Sequence, residues 1–329
     1  MAAQIFEESQ ITSQPLVDII LQGHTLENFD RKNVENIKKS LKAEKEERLK
    51  TAFYSLSEQL PFKDRHCLLQ ASEKGASSWL TALPLDSQGY TLNKREFRDS
   101  VCLRYGWNIA DIPRDCACGK KNSIDHALTC SLGGYVHLRH NNLRDLLAEM
   151  LVDAKCRDVV VEPPLVQVNP DRFKSSTNTQ PEARLDIAAT GVHGTFERTF
   201  FDVRVTHPNC ESNIHKTLPQ LYKEHEDKKK RMYEERILEA EKGSFTPLVF
   251  STSGGKILIK KLATRIADGK NEKYEDVIYH LRVRIRYAIL RSTLLAIRGQ
   301  RGRKLRNVDS IEETFFNIIP EAFNQRKNH

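Results

Sequence analysis

Apolar positions recur at helical spacing near the start of the chain. Ile37, Leu41, Leu49, Phe53, Leu56 and Leu60 thread through the highly charged stretch NIKKSLKAEKEERLKTAFYSLSEQL, which predicts helix through residues 1–75. The stripe thins between Leu41 and Leu49, where that face carries no apolar residue. This region predicts helical packing or a coiled-coil-like contact and carries no chemistry. Further on, Asn93 followed three residues later by Glu96 spells a capping box. Phe97, Val101 and Leu103–Tyr105 supply the apolar side of a short docking helix. After Gly133 and Gly134 comes YVHLRHNNLRDLLAEMLVDAK, an amphipathic helix. Leu143, Leu147 and Leu151 share one face, His140 falls on the same face, and Glu149 lies opposite.

The period then changes. VVVEPPLVQV (159–168) predicts a strand that Pro163 and Pro164 end or bend, and DRFKSSTNTQPE a polar loop. Residues 183–206, ARLDIAATGVHGTFERTFFDVRVT, predict two strands joined by a Gly-containing turn. A long helix is expected from Leu218 to Glu241, with Pro219 in its first turn and Gly243 as its stop. Tyr222, His225, Lys229, Met232 and Arg236 form one stripe of it, so Lys229 faces the sheet while Lys228 and Lys230 face solvent. SFTPLVFSTSGG predicts a further strand and a glycine turn, and helices over 256–267 and 274–299 close the chain. LRVRIRYAIL alternates as a strand does; read as helix, it places Arg284, Arg291 and Arg298 on one basic stripe. From Arg139 to Ser253 the order is α-β-β-β-α-β, an α/β (α+β) mixed sheet flanked by helices. Four regions are expected: 1–75 helical, 76–132 docking helix and cysteine cluster, 133–255 core, and 256–329 basic helices and tail.

Composition adds compartment and partner. With 329 residues, 39% hydrophobic and 29% charged, the chain has the make-up of a globular rather than a disordered protein. No apolar run reaches the length of a membrane span, and MAAQIFEESQ does not read as a signal peptide. An intracellular, nuclear protein is expected. Seven unevenly spaced cysteines, an odd number, argue against a disulfide framework. The net charge of +8 is concentrated: Lys256 to Arg306 holds fifteen Lys/Arg against four Asp/Glu. That segment, including the Gly-containing tail GQRGRKLRN, suits a polyanion, DNA or RNA, though a solvated charged surface explains any one residue in it.

Two constellations carry chemistry. In CACGKKNSIDHALTC, Cys116, Cys118, His126 and Cys130 give C-x-C-x7-H-x3-C, a thiolate and imidazole set suited to tetrahedral zinc. Gly119 permits a tight turn, and His126 and Cys130 share a helical face. The alternative is a set of buried free thiols, the reading given to Cys67, Cys102, Cys156 and Cys210. In the hairpin, Asp202 and Arg204 project together and Asp186 comes alongside them if the strands pair. Two carboxylates and a cation on one sheet edge make a cradle for a divalent metal and a phosphate, against the bland alternative of ordinary hairpin charges.

Taken together, CAC…H…C, then Arg139-His140-Asn141, then LDI and DVRV, resemble the C-terminal region of non-LTR retrotransposon polyproteins that carry a restriction-like, PD-(D/E)XK endonuclease behind a zinc knuckle. The similarity spans roughly 75–300, and GASSWLTALPL and FTPLVFSTSGG look like its flanking segments. No aromatic-x-Asp-Asp tetrad of a reverse transcriptase is present. The resemblance implies a metal-dependent DNA endonuclease in which Asp186 and Asp202 hold Mg2+ or Mn2+, with His140 as the R-H-N histidine and structural zinc in the knuckle. Glu162 reads equally as a further acid for Mg2+ or as a structural carboxylate at the strand end. Leu185 stands where that family has proline, and Arg204 where the fold often has lysine. Arginine cannot shuttle a proton but can clamp a phosphate. Lys229 is then the lysine expected to complete the site. The alternatives are a binding module of the same origin that no longer cuts, and a structural protein interacting through its N-terminal helices.

Overall fold

The computed structural model describes residues 31–255 and 259–299. The helix expected before residue 31 and the basic tail from Gln300 lie outside them. The described residues up to Arg65 belong to one compact unit and those from His66 onward to another. In the first unit, α1 (Arg31–Gln59) half-buries Ile37, Leu41 and Phe53 but leaves Leu49 and Leu56 exposed. Helix α2 (Phe62–Ala71) follows, most of its residues belonging to the second unit.

The second unit contains α3 (Ser78–Thr81), α4 (Lys94–Tyr105), α5 (Ile124–Thr129) and α6 (Tyr135–Asp153), then β1 (Arg157–Val161), β2 (Ile187–Thr190) and β3 (Arg198–Thr206). Helix α7 (Leu218–Arg236), β4 (Ser244–Ser251), the two-residue β5 (Gly254–Gly255), α8 (Ile259–Lys270) and α9 (Tyr274–Arg298) complete it. The sheet order is β1-β2-β3-β4-β5, antiparallel except for the parallel β3–β4 pair. The parallel pair follows from the α7 crossover, since a helix returns the chain to the same end of the sheet. The expected mixed sheet flanked by helices is present.

Alternation along β3 sorts its side chains between two cores. Phe201 and Val203 join Leu143, Leu147 and Leu151 of α6, Leu262 of α8 and Leu281, Ile285 and Ile289 of α9. Phe200 turns the other way, onto Tyr233 and Ile237 at the end of α7. Asp202 and Arg204, an even number of residues from Phe200, therefore lie on the α7 side. The inward stripe of α7 holds: Tyr222 and Arg236 are buried, His225, Lys229 and Met232 half-buried, and Lys228 and Lys230 exposed. A capping box at Thr217 and Gln220, with Pro219 in the first turn, starts that helix. Its last turn widens to a π-turn over Ile237–Glu241.

Several expectations are corrected. The strand placed at 159–168 is Arg157–Val161; Glu162 takes a positive φ of 52°, and beyond the two prolines only a Pro164–Arg184 bridge remains. Prolines lack the N–H that a ladder needs. The residue that stops α7 in the left-handed conformation is Lys242. Gly243 is required for another reason: a Cβ there would lie 2.5 Å from the Arg198 carbonyl oxygen. Cys210 is only half-buried, beside Ser212, and Cys102 is likewise half-buried, whereas Cys67 and Cys156 are in the core.

The strand-like alternation in LRVRIRYAIL belongs to a helix buried on several sides. Ile285 and Ile289 face the sheet, while Val283, Tyr287 and Leu290 pack on Trp79 and Tyr90. The basic stripe on α9 is consequently internal. Arg284 pairs with Glu149 and Asp153, Arg291 donates to the Gly89 and Thr91 carbonyls, and Arg298 forks onto Asp99. These arginines hold α9 to its neighbours rather than present a face to a polyanion. The described residues of the regions expected from residue 76 onward, 76–255 and 259–299, belong to one compact unit built around this helix.

Candidate active site and metal centre

The cysteine cluster is assembled by a tight hairpin and a short helix. Cys116 N–H donates to the Lys120 carbonyl (2.9 Å), Gly119 N–H to the Cys116 carbonyl (2.8 Å), and Asp115 bridges to Lys121. Gly119 makes the turn at φ 87°, a conformation that costs other residues strain. Ser123 then caps α5 by accepting from the His126 N–H (3.0 Å), which fixes the start of the turn that carries His126 and ends at Cys130.

The ligand atoms of Cys116, Cys118, His126 and Cys130 all lie within 4.8 Å of one another. Cys116 Sγ and Cys130 Sγ are 3.9 Å apart, and Cys118 Sγ and His126 Nε2 3.3 Å. Zinc bonds of about 2.3 Å to sulfur and 2.0 Å to nitrogen set tetrahedral ligands roughly 3.5–3.8 Å apart, so spacing and donor chemistry both fit. The cluster can hold a metal ion such as zinc. Burial pushes the Cys130 thiol up, with Cys116 adding to it, while the Lys120 backbone N–H holds Cys118 below the usual thiol range. A cation would stabilise both as thiolates.

Two buried side chains tie this centre to the core. Arg139, the arginine of the R-H-N element, donates from Nη2 to the Leu128 carbonyl on α5 (3.1 Å), and burial lowers its pKa to about 10. His207, just past β3, spans between Asp125 of α5 (2.8 Å) and Thr252 at the end of β4 (2.9 Å).

The acidic hairpin forms as expected. Ile187 pairs with Phe201, so the antiparallel register sets Asp186 opposite Asp202. Asp186 is fixed at both ends: its N–H donates to the Phe201 carbonyl (3.1 Å) and its Oδ2 accepts from the Val203 N–H (2.6 Å). Its Oδ1 lies 3.0 Å from His140 Nε2 of α6. Asp202 is met by Lys229 of α7, whose Nζ is 2.7 Å from Oδ2; their side chains are 21% and 8% exposed. Burial raises the Asp202 pKa, Lys229 opposes the rise, and Asp186 adds to it. The folded protein thus holds a carboxylate that resists ionisation beside a second carboxylate and a cation.

Glu162 and Arg204 stand apart from that centre. The Glu162 carboxylate is taken by the Arg144 guanidinium, which also reaches Asp145. Burial works against the Arg144 charge, but Asp145, Glu162 and Asp186 more than offset it and hold its pKa above the ordinary value. Arg144 was not singled out from the sequence, although it follows His140 by one helical turn and so shares its face. Arg204 is exposed, forms no ion pair among the described residues, and its charge bears on His225 of α7. Among the described residues, the Cys116 centre is the one place where three or more His, Cys, Asp or Glu ligand atoms converge for a metal; Asp186 and Asp202 offer a pair.

No family model matches this chain, and no curated protein matches it. Among the described residues no helix is long and apolar enough to cross a membrane.

Proposed function

We propose that the chain is a metal-dependent DNA endonuclease of the PD-(D/E)XK type, derived from the C-terminal region of a retroelement polyprotein and acting in the nucleus. The observation that carries the reading is the ion pair between Asp202 and Lys229 beside the Asp186–His140 pair. Without a lysine at the acids, Arg204 would be the only cation for the role, and it does not shuttle protons. Lys229 supplies one from the following helix.

The donor set suits Mg2+ or Mn2+, which are held by one or two carboxylates and otherwise keep water and substrate phosphate as ligands. Asp186 and Asp202 would hold such an ion, which would supply an activated water and neutralise charge on the phosphate. The protein's own part is positional. The Val203 N–H and His140 fix the rotamer of Asp186, the sheet fixes Asp202 opposite it, and burial makes the Asp202 charge costly unless a cation joins it. Lys229 then places its ammonium where a phosphate oxygen gains charge. Glu162 serves as the partner that ties Arg144 of α6 to the end of β1 rather than as a third acid.

A second reading, nucleic-acid binding without cleavage, draws on one feature: each acid already has a cationic or titratable partner within the protein. End-labelled duplex DNA, incubated with Mg2+, Mn2+ or neither, separates the two. Cleavage that requires the metal and disappears in Lys229→Met supports the endonuclease; retention of label with undiminished binding supports the second reading.

A further inference from the structure

Helix α7 and strand β3 run in opposite directions, because a crossover helix returns the chain between parallel strands. One turn back from Lys229 along α7 is His225, and two residues on from Asp202 along β3 is Arg204. Both moves go the same way over the α7 side of the sheet. Two successive rungs result. In the first, Asp202 meets Lys229, anion with cation. In the second, the charge of Arg204 bears on His225, and the nearby acid, Glu224, is taken up by Lys216.

The second rung is crowded with positive charge. Burial, and then the charge of Arg204, lower the His225 pKa; Lys216 and Lys228 add to the effect. Among the described residues whose charges bear most on the imidazole, Glu224 is the acid, and its carboxylate is already 2.6 Å from Lys216 Nζ. The buried His225 Nε2 has no hydrogen-bond partner. An exposed guanidinium and an exposed lysine whose charges bear on a half-buried histidine, with the nearby Glu224 already paired, make a net positive patch whose complement is an anion. Its position, one rung along from the two acids, matches a neighbouring phosphate of a chain being cut at the first rung.

We infer that Arg204, His225 and Lys228 form a subsite for a backbone phosphate adjacent to the scissile one. This rests on the endonuclease reading for the word scissile; the phosphodiester chemistry of the subsite does not depend on it. Arg204 is the fork that clamps the phosphate, Lys228 adds charge from the rim, and His225 takes up a proton when the anion arrives. The assignment gives Arg204 a task distinct from that of the lysine whose place it takes.

The test uses full-length protein, a fluorescein-labelled DNA duplex and no Mg2+. Dissociation constants are measured across a salt series for the wild type, Arg204→Gln, Lys228→Gln and, as a control on an exposed lysine of α4, Lys94→Gln. Loss of one phosphate contact lowers the slope of log K against log salt by about 0.9. The subsite predicts that fall in Arg204→Gln, with affinity about tenfold weaker, a smaller change in Lys228→Gln, and none in Lys94→Gln. It also predicts that the His225 imidazole, followed by NMR, titrates at higher pH when DNA is bound. Equal affinity and slope for Arg204→Gln and the wild type, or an equal loss in Lys94→Gln, overturns the subsite. The two claims fail separately: metal-dependent cutting with binding indifferent to Arg204 removes the subsite and leaves the endonuclease. Arg204-dependent binding without cutting under any metal does the reverse.

Discussion

Replacing Lys229 by methionine keeps the length of the side chain and removes its charge. In the wild type the ammonium lies 2.7 Å from Asp202 Oδ2, with the two side chains 21% and 8% exposed. At an effective dielectric of about 20, unit charges at that separation attract by about 6 kcal/mol, and desolvation of both groups offsets much of this. Removing one member of a buried pair leaves the other uncompensated and costs about 3–5 kcal/mol; the residual exposure of Lys229 points to the lower end, about 3 kcal/mol at neutral pH. The sign with pH follows. Asp202 already has a raised pKa from burial, and losing Lys229 removes the largest influence that opposes the rise. A carboxylate whose folded pKa exceeds its unfolded value binds its proton more readily in the folded state, so the penalty for Lys229→Met is full above the folded pKa of Asp202 and shrinks as pH falls through it. Thermal unfolding of the wild type, Lys229→Met and Lys229→Met/Asp202→Asn between pH 5 and 8 reads this directly. The single variant is expected to lose Tm most at the alkaline end, and the double variant to recover most of the loss. Equal melting of single variant and wild type at every pH would refute the pairing, and a pH-independent loss would refute its electrostatic origin.

Stripping zinc with a chelator, or replacing Cys130 by serine, is expected to release α5 from the sheet ends; loss of one zinc per chain and faster hydrogen exchange around His207 and Thr252 would report it. Gly243→Ala forces a Cβ toward the Arg198 carbonyl at 2.5 Å and should cost about 2 kcal/mol or more, measured by urea unfolding. Glu162→Gln, which removes a largely exposed partner of Arg144, should cost under about 1 kcal/mol and leave metal-dependent activity in place. Because the Asp202 pKa is raised in the metal-free protein, uptake of Mn2+ should weaken on the acid side at a higher pH than an ordinary aspartate would give. A metal-binding titration repeated across pH checks that sign.

Much of this arrangement is written in local patterns. The stripe from Tyr222 to Arg236 places Lys229 inward and leaves its two lysine neighbours in solvent, as the structure has it. The spacing of the cysteines and His126 carries the metal centre, and the even spacing of Phe200, Asp202 and Arg204 carries the face on which the acids lie. What was not legible depends on tertiary partners. The arginines of α9 form a perfect heptad stripe, yet that helix is enclosed on several sides, so each arginine answers a carbonyl or carboxylate from a distant segment. Glu162 looked like a third acid because nothing in the sequence shows that Arg144 reaches it across the start of the sheet. Arg144 itself was hidden among the charged residues of α6, although its spacing from His140 was a usable signal. The role of Gly243 lies in the close approach of Arg198, a contact that periodicity does not encode.

The proposed endonuclease activity requires Asp186 and Asp202 to hold a divalent metal together. Supercoiled plasmid incubated with Mg2+ or Mn2+ and wild-type protein, beside Asp186→Ala and Asp202→Ala variants shown to be folded and zinc-loaded, tests it most directly. Nicked and linear product is expected with the wild type alone. Equal nicking by all three proteins, or none by any of them, would contradict it.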